Sequence, residues 1–195
     1  MQNVSVAFDF LPANHQLDAD YKYLPCHLIF DVKMDFTRKA RFVADGHRVA
    51  DPVHSTYAGV VSRESVRIAF TYAALLGLDV LAGDIQNAYL QAPSSEKLYT
   101  IAGPEFGSQQ GMKLRIIRAL YGGKSSGRDF RNHLRHCMTT LGFEPCEADH
   151  DVWMRPATTP AGLEYYEYVL LYVDDTLVIS HNAQLTIDRL NKFSR

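Results

Sequence analysis

Long apolar runs, paired cysteines and an excess of one charge are all absent from this 195-residue sequence. No apolar segment reaches the roughly 20 residues that a transmembrane helix needs, and no charged segment followed by a hydrophobic one opens the chain. The three cysteines form no CxxC pair, so we expect free, buried or half-buried thiols in a reducing compartment. The 20 basic and 22 acidic residues nearly cancel. This balance excludes a globally basic surface and leaves only local basic clusters for contacts with nucleic acid.

The apolar pattern predicts an α+β fold in which helices back an antiparallel sheet. Apolar residues recur at helical spacing after Ser62 and again after Ser126. This pattern predicts two amphipathic helices, which end at Gly77 and Gly142. The first 25 residues show no period and are expected to be a connecting segment. Apolar, β-branched and aromatic runs predict strands over residues 26–32, 38–44, 79–85, 97–101, 113–120 and 152–154, and a hairpin over 168–179.

The most informative local feature is a pair of aspartates, Asp174 and Asp175, inside the apolar run of residues 168–179. A buried unpaired charge is costly, and two adjacent carboxylates repel each other. A divalent cation is the simplest means of keeping both ionised. The alternative is an ordinary hairpin tip with exposed aspartates, because turns favour Asp.

A third carboxylate, Asp84, ends another apolar strand. If that strand neighbours the hairpin, three carboxylates converge at one edge of the sheet, which is the oxygen-rich coordination that Mg²⁺ prefers. Two such ions, about 3.5–4 Å apart, can stabilise the attacking and leaving oxygens of a phosphoryl displacement. Alternatively, Asp84 simply ends its strand or caps the turn at Asn87.

Five segments resemble, in the same order, the reverse transcriptases of Copia-type (Pseudoviridae) retrotransposons. Residues 172–175 (YVDD) resemble the YxDD box, and residues 84–90 (DIQNAYL) resemble the segment with the first catalytic aspartate. A YxDD box alone is a weak signal, whereas five ordered segments are specific. The remaining three are residues 39–47 (KARFVADGH), 119–126 (ALYGGKSS), and 141–143 (LGF) followed by 148–153 (ADHDVW), and the resemblance covers residues 26–190.

The resemblance implies a right-hand polymerase with fingers and palm, and with the thumb absent or truncated. The last helical pattern, over residues 183–195, would then be the start of a truncated helix leading towards a thumb. The implied order is an N-terminal connecting segment (1–25), fingers with the first palm helix (26–78), palm with the first catalytic aspartate (79–97), fingers (98–125) and palm with the YVDD hairpin (126–182).

The resemblance also implies roles for single residues. Asp84, Asp174 and Asp175 would be the catalytic metal ligands, together with the carbonyl of Ile85. Tyr89 would lie under the incoming sugar, where its ring excludes a 2′-hydroxyl and so selects deoxynucleotides. Residues implied to bind the dNTP are Lys39, Arg41, Tyr89, Tyr121 and Lys124. Residues that would contact template or primer are Arg115, Arg118, Arg128 and Tyr172.

The implied activity is RNA-directed DNA synthesis, in which a primer 3′-hydroxyl attacks the α-phosphate of a dNTP with two Mg²⁺ ions, for which Mn²⁺ can substitute. The implied partners are an RNA or DNA template with its primer, dNTPs, and polyprotein domains with integrase upstream and RNase H downstream. The implied place is a virus-like particle in the cytoplasm, or the nucleus, of a eukaryotic host, with no membrane. The oligomeric state and the host stay open.

The sequence also departs from the family pattern. Gly123 replaces a Leu, Gly127 replaces a Pro, and Phe130 replaces an aromatic residue that is often Trp. Gly123 is expected to loosen its turn. These departures support a second hypothesis, a catalytically silent fragment that only binds nucleic acid or a partner. A third hypothesis, another two-metal enzyme such as a nucleotide cyclase, leaves residues 39–41 and 119–126 unexplained.

Several of these residues also have a purely structural interpretation. Lys39 and Arg41 alternate with apolar residues, and the alternative to a nucleotide-binding role is that they form only the solvated face of a strand. Tyr89 and Trp153 fit a hydrophobic core, and the arginines fit a solvated surface. His133 and Cys137 lie one helical turn apart, but a structural zinc site normally needs four converging ligands.

Overall fold

The computed structural model describes residues 6–12, 14–52, 56 and 58–193, and all structural statements refer to these residues. The strands are β1 Phe8–Phe10, β2 Lys22–Tyr23, β3 Cys26–Val32, β4 Arg38–Ala44, β5 Asp79–Asp84, β6 Pro93–Ile101, β7 Lys113–Arg118, β8 Glu144–Pro145, β9 Val152–Thr158, β10 Glu164–Tyr172 and β11 Asp175–Ser180. The helices are α1 Arg63–Leu76, α2 Ala88–Gln91, α3 Ser126–Thr140 and α4 Ala183–Phe193, with 3-10 turns at Gly46–Arg48 and Pro104–Gln109.

The chain forms two compact units that alternate along the sequence. Unit 1 comprises residues 1–57 and 89–130, and unit 2 comprises residues 58–88 and 131–195. The assignment of these segments to fingers and palm stays a prediction. Helix α1, predicted as the first palm helix, belongs to unit 2, and residues 89–97 belong to unit 1.

Unit 1 contains a four-stranded sheet, in the order β1-β7-β6-β2, and the separate antiparallel hairpin β3–β4. The predicted boundaries of this hairpin are confirmed, with Cys26 opposite Ala44 and Val32 opposite Arg38. The rings of Phe8, Phe42 and Phe106 meet edge to face, with centroids 5.6–5.9 Å apart. This aromatic cluster joins the base of the hairpin to the core of the sheet.

The first 25 residues differ from the expected connecting segment, because β1 and β2 join the sheet of unit 1. β1 pairs with β7 in antiparallel fashion, and β2 pairs with β6 in parallel. These strands have only three and two residues. Such short strands show too little alternation to be recognised in a sequence, and partners far along the chain determine them.

Unit 2 is a five-stranded antiparallel sheet, in the order β5-β11-β10-β9-β8, with α1 and α4 packed against β5 and β11. The predicted caps of α1 are confirmed. The Ser62 hydroxyl accepts a hydrogen bond from the Ser65 N–H, and Gly77 ends the helix at φ +63°. The core beneath α1 consists of Val61, Ala69, Ala73, Val152, Leu170 and Ile179. Each fully buried Leu or Ile contributes about 1.5–3 kcal/mol.

The predicted α+β class is confirmed at the level of antiparallel sheets combined with helices. The three thiols are free, with Cys137 buried and Cys26 and Cys146 half-buried, as predicted. Burial raises the pKa of Cys26 to about 12. Trp153 is only 1% exposed, which confirms its place in the core. Within the described ranges, no helix combines the length and apolar character needed to cross a bilayer.

Candidate active site

The YVDD segment forms the tip of the β10–β11 hairpin. Tyr172 and Asp175 are the last paired residues, so the connection is a two-residue loop of Val173 and Asp174. Behind the tip, each arm has fully buried residues, with Leu170 1% exposed and Ile179 0% exposed. The apolar run therefore holds the hairpin in the sheet and leaves its acidic tip at the edge.

Val173 adopts an unusual backbone conformation in this loop, with φ +57°. A positive φ at the first residue of a two-residue hairpin loop is typical of a type II′ turn, where glycine is the usual residue. In a β-branched residue this conformation is a genuine outlier, which costs about 1–3 kcal/mol. Such strain is often found at functional sites.

The predicted neighbour of the hairpin is confirmed, because β5 pairs with β11. Asp84, the last residue of β5, lies directly opposite Asp175. The N–H of Ile85 donates a hydrogen bond of 2.9 Å to the carbonyl of Asp174, which fixes the loop to the end of β5. Since directly opposed side chains lie on one face of a sheet, Asp84 and Asp175 are lateral neighbours, and Asp174 is one residue away.

The carboxylates of the three aspartates have no partner among the described residues. In the described part of the chain, the side chains of Asp84, Asp174 and Asp175 form no hydrogen bond or ion pair. Asp149 and Asp151 of the same unit differ, since Asp149 accepts from Ser62 and Ser65, and Asp151 pairs with Arg131 at 2.8 Å. The expected burial of the acidic pair is wrong for Asp175, which is exposed, while Asp174 is half-buried.

This donor set has the chemistry of a divalent-cation site, because carboxylate oxygens are the ligands that Mg²⁺ prefers. Neighbouring carboxylates that form no ion pair with a described residue also favour an added cation electrostatically. Among the described residues, however, no three His, Cys, Asp or Glu side chains lie close enough together to hold a metal ion. Coordination by all three aspartates and the Ile85 carbonyl therefore stays a prediction.

A groove of about 830 Å³ opens beside the carboxylates, between α1 and the ends of the strands. Arg63 and Arg67 of α1 line it, and neither guanidinium forms an ion pair within the described ranges. Sequence reasoning missed these two arginines. The sequence offered one signal for Arg63, which is its place at the first helical position. A positive charge there interacts unfavourably with the helix dipole. The other lining residues are Val61, Val66, Phe70, Ala82, Gly83, Asp84, Leu170, Tyr172, Asp175, Thr176 and Leu177.

In unit 1, the structure brings together two of the predicted dNTP-binding residues, Tyr89 and Tyr121. Their rings meet edge to face, with centroids 4.6 Å apart and planes at 89°. Phe130 contacts the Tyr89 ring at 5.8 Å. The half-buried Tyr89 ring is thus fixed between two aromatic neighbours, as both a core role and a positioning role require.

Lys39 and Arg41 lie on one face of the β3–β4 hairpin, two residues apart on β4. Their cross-strand neighbours are Asp31 and Ile29. The only ion pair of Arg41 in the described structure is a long contact of 3.9 Å with Asp31, with both side chains about half exposed. An exposed ion pair at this distance contributes little to stability. The side chains of Lys39 and Arg41 therefore stay available to bind an anionic ligand.

Lys124 has internal partners. Its ammonium donates to the carbonyl of Val49 at 2.8 Å and to the carboxylate of Asp51 at 2.6 Å. The hydrogen bond from Lys124 and its positive charge lower the pKa of the exposed Asp51 carboxyl. Lys124 therefore ties the segment after β4 to the segment before α3.

Two glycines join the segment of β4 to the segment of Tyr121. The N–H of Ala44 donates to the carbonyl of Tyr121 at 2.7 Å, and the N–H of Gly46 donates to the carbonyl of Gly122 at 3.2 Å. Gly122 has φ +85°, and a Cβ there would overlap the Ala44 carbonyl oxygen. Gly123, expected to loosen this turn, has no positive φ, so Gly122 is the glycine that the turn requires.

The arginines predicted to contact template or primer all have internal partners. Arg115 Nε donates to Asp9 at 3.1 Å, Arg118 donates to the carbonyl of Gln91 at 2.8 Å, and Arg128 Nε donates to Asp129 at 3.2 Å. These contacts describe structural roles, and a role in binding template stays a prediction. Tyr172 is 54% exposed and lines the groove of unit 2.

Comparisons with known proteins identify the family. A family model described as reverse transcriptase (RNA-dependent DNA polymerase) matches residues 14–193. The Pol polyprotein of transposon RE1 from Arabidopsis thaliana is 27% identical over 161 residues, which cover 80% of this chain and 11% of that protein. The Gag-Pol polyprotein of transposon Ty1-DR4 from Saccharomyces cerevisiae is 31% identical over 160 residues, or 79% of this chain and 9% of that protein. The chain thus spans about a tenth of the length of these relatives, and it belongs to the reverse transcriptase (RNA-dependent DNA polymerase) family, as a domain of the Copia-type retrotransposon group.

Proposed function

We propose that this chain provides the fingers and palm of an RNA-directed DNA polymerase that adds dNTPs to a primer 3′-hydroxyl. The observation that carries the proposal is the set of three carboxylates at one edge of the unit 2 sheet, Asp84, Asp174 and Asp175, none of which has a protein partner in the described structure. Elsewhere in unit 2, Asp149 and Asp151 are held by hydrogen bonds. Carboxylates that form no ion pair with a described residue fit a site for an added cation.

In this proposal, Asp84, Asp174 and Asp175 hold two Mg²⁺ ions, for which Mn²⁺ can substitute, with the Ile85 carbonyl as a further ligand. When bound, such ions lower the pKa of the attacking hydroxyl and neutralise the charge on the leaving pyrophosphate. The contribution of the chain is to position the ligands. The buried arms of the hairpin and the hydrogen bond from Ile85 to Asp174 prevent the acidic loop from shifting along β5.

The nucleotide-binding residues of the proposal lie in unit 1. Tyr121 and Phe130 hold the Tyr89 ring in one orientation, and a fixed ring can exclude a 2′-hydroxyl by steric overlap. Lys39 and Arg41 contact the triphosphate, as their weakly compensated charges favour. Lys124 can exchange Asp51 for a phosphate, because Asp51 is 89% exposed and such a pair adds little stability.

The groove beside Asp84 and Asp175 is our candidate for the primer. Its wall carries the guanidinium groups of Arg63 and Arg67, which form no ion pair with described residues and which suit phosphate oxygens. Its floor includes Tyr172 and other apolar surfaces that can pack against a sugar. A strand bound there ends next to the carboxylates.

The test replaces each carboxylate without changing its size. Asp174→Asn and Asp84→Asn should each lower primer extension on a primed homopolymer by roughly a hundredfold or more. Their thermal unfolding should stay close to that of the wild type, because neither side chain forms a hydrogen bond or ion pair with a described residue. Asp79→Asn is the matched control, since Asp79 is an exposed aspartate at the opposite end of β5. Retained extension by Asp174→Asn contradicts the assignment.

The rival hypothesis, a silent fragment that only binds nucleic acid or a partner, predicts a different result. Such a chain would bind a primed template but incorporate no dNTP, even with Mn²⁺. The absence of a three-ligand metal group from the described residues is the observation that favours it. The flanking reading frame offers an independent check, because the proposed polyprotein context requires integrase upstream and RNase H downstream.

A further inference from the structure

Strand β10 extends beyond its partner β9 on the way to the acidic loop. The pairing of the two strands ends with Leu170 opposite Val152, whereas β10 continues to Tyr172. Leu171, three residues before Asp174, therefore lies outside the ladder with β9. Leu171 is 5% exposed. Because an unpaired buried backbone group is costly, its N–H and carbonyl need partners from elsewhere in the fold.

Two segments from different parts of unit 2 provide these partners. The Leu171 N–H donates to the carbonyl of Asp151 at 2.9 Å, and the Leu171 carbonyl accepts from the N–H of Val61 at 3.0 Å. Asp151 belongs to the loop between β8 and β9, and Val61 directly precedes Ser62, the cap of α1. The buried end of β10 is thus held by two segments that are not strands of the sheet.

The carboxylate of Asp149 joins these two segments to each other. One of its oxygens accepts hydrogen bonds from the Ser62 N–H at 2.9 Å and from the Ser65 hydroxyl at 2.7 Å, both at the start of α1. Its other oxygen accepts from the Asp151 N–H at 3.2 Å. One side chain therefore fixes both of the segments that hold Leu171.

An ion pair attaches the same loop to α3. Arg131 contacts both carboxylate oxygens of Asp151, donating through Nη2 at 2.8 and 2.9 Å and through Nε at 3.0 Å. Asp151 is only 7% exposed, and a bidentate contact between Arg and a carboxylate fixes geometry as well as adding energy. We call the three residues Arg131, Asp149 and Asp151 the loop anchor.

The acidic loop needs support on both sides because its backbone is strained. Val173 holds φ +57°, and such a conformation persists only where the surrounding structure enforces it. On the side of β5, the N–H of Ile85 donates to the carbonyl of Asp174. The second support is the loop anchor, which holds Leu171 two residues before Val173.

We propose that the loop anchor positions the metal ligand Asp174. Its three residues act through Leu171, because the place of Leu171 determines where the acidic loop leaves β10. The proposal rests on the proposed function, which makes Asp174 a ligand. Without the anchor, the end of β10 can shift, and the carboxylate of Asp174 then moves relative to Asp84 and Asp175. Loss of the anchor should therefore lower the affinity for a divalent cation while unit 2 stays folded.

The test measures cation binding and backbone protection well below the melting temperature of each variant. Asp149→Ala should weaken Mn²⁺ binding, followed by electron paramagnetic resonance, by roughly fivefold or more. Amide hydrogen exchange, measured without metal, should become faster at Leu171 and also at Ile85, whose N–H reports the position of the loop itself. Asp149→Asn keeps one acceptor oxygen, so its effects should be smaller than those of Asp149→Ala.

The matched control is a similar ion pair of unit 2 that does not hold Leu171. Glu167 pairs with Arg155 at 2.7 Å and also accepts from the Thr186 hydroxyl. The side chains of Asp151 and Glu167 are 10% and 4% exposed. Asp151→Asn and Glu167→Gln should both lower the melting temperature. Only Asp151→Asn should also weaken Mn²⁺ binding and speed the exchange of Ile85.

Two outcomes overturn the proposal. If Asp149→Ala melts earlier but keeps its Mn²⁺ affinity and its exchange at Ile85, the loop anchor has a purely structural role. If Glu167→Gln weakens Mn²⁺ binding as much as Asp151→Asn does, the effect is general destabilisation. Should Asp149→Ala not fold, Asp149→Asn and Asp151→Asn decide by the same measurements.

These measurements are independent of catalysis, so the proposed function can fail separately. A wild-type chain that loses Mn²⁺ binding on Asp174→Asn but extends no primer contradicts the proposed function, and the Mn²⁺ and exchange measurements still decide the role of the anchor. A wild-type chain that extends primer, with Mn²⁺ affinity unchanged in Asp149→Ala, contradicts the positioning role alone.

Discussion

Gly122→Ala should destabilise unit 1 strongly, and the neighbouring Gly123→Ala should not. At Gly122, φ is +85°, and an added Cβ would overlap the backbone carbonyl oxygen of Ala44, which cannot rotate away. At Gly123, φ is not positive, and the added Cβ would lie 2.5 Å from the hydroxyl of Ser126, which can rotate. The pair therefore separates backbone strain from the mere addition of a methyl group.

The magnitude follows from three local effects. A left-handed conformation costs a non-glycine residue about 1–2 kcal/mol. Moving the Ala44 carbonyl away also weakens the hydrogen bonds from Ala44 to Tyr121 (2.7 Å) and from Gly46 to Gly122 (3.2 Å), each of which contributes about 0.5–1.5 kcal/mol. We expect a loss of about 2–5 kcal/mol for Gly122→Ala. For Gly123→Ala we expect less than about 1 kcal/mol.

Thermal unfolding followed by circular dichroism measures this difference. In a domain of this size, about 1 kcal/mol shifts the melting temperature by roughly 2–4 °C, so Gly122→Ala should melt roughly 4–20 °C lower. Primer extension on the folded fraction should show a raised KM for dNTP, because the Gly46–Gly122 contact joins the segment of Lys39 and Arg41 to Tyr121. Equal melting temperatures for the two variants would refute the proposed role of Gly122.

Two further predictions concern unit 2. The double variant Arg63→Ala/Arg67→Ala should weaken binding of a primed template and reduce the slope of log affinity against log salt by roughly 1.5–2. The control Arg189→Ala, on the exposed side of α4, should change neither quantity. An unchanged slope in the double variant would contradict the proposed role of the groove. Burial of Asp149 acts to raise its pKa, but hydrogen bonds from Ser62, Ser65 and Asp151 lower it overall. The charged form therefore stabilises the fold above the unfolded pKa, and the stability is lost as the pH falls through the folded pKa. Asp149→Asn should be less stable than the wild type at pH 7, and urea unfolding of the two should converge below about pH 4; a constant gap would contradict this.

Local chemistry allowed much of the fold to be predicted. The boundaries of β3 and β4 follow from the apolar runs on either side of the turn at residues 33–37, and those of α1 from Ser62 and Gly77. Asn182 directly precedes the last helical pattern, and its side chain accepts from the Leu185 N–H at 3.2 Å, as a helix cap does. These features depend on residues within one turn or one hairpin, where sequence rules are strongest.

Features that depend on distant partners were missed. The role of Lys124 in binding nucleotide stays a prediction, but the sequence did not indicate its contact with Asp51, which lies 73 positions away. Arg115 and Asp9 are 106 positions apart. No local pattern marks such pairs, so a basic residue looks available when it is already engaged. Arg63 and Arg67 show the converse, because only the packing of α1 beside β5 and β11 places them in a groove with Asp84 and Asp175.

The two places where local rules fail most clearly are both hairpin tips. Val173 and Phe36 each hold a positive φ that glycine would adopt without strain, and neither gains enough burial to explain its presence, since Val173 is 38% and Phe36 86% exposed. Sequences are otherwise locally consistent with their folds, and departures concentrate where function opposes stability. Val173 immediately precedes the acidic loop residue Asp174, and Phe36 lies within the basic hairpin of Lys39 and Arg41. The backbone strain at Val173 therefore indicates the same surface as the neighbouring carboxylates. The backbone strain at Phe36 indicates the same hairpin as the cations Lys39 and Arg41.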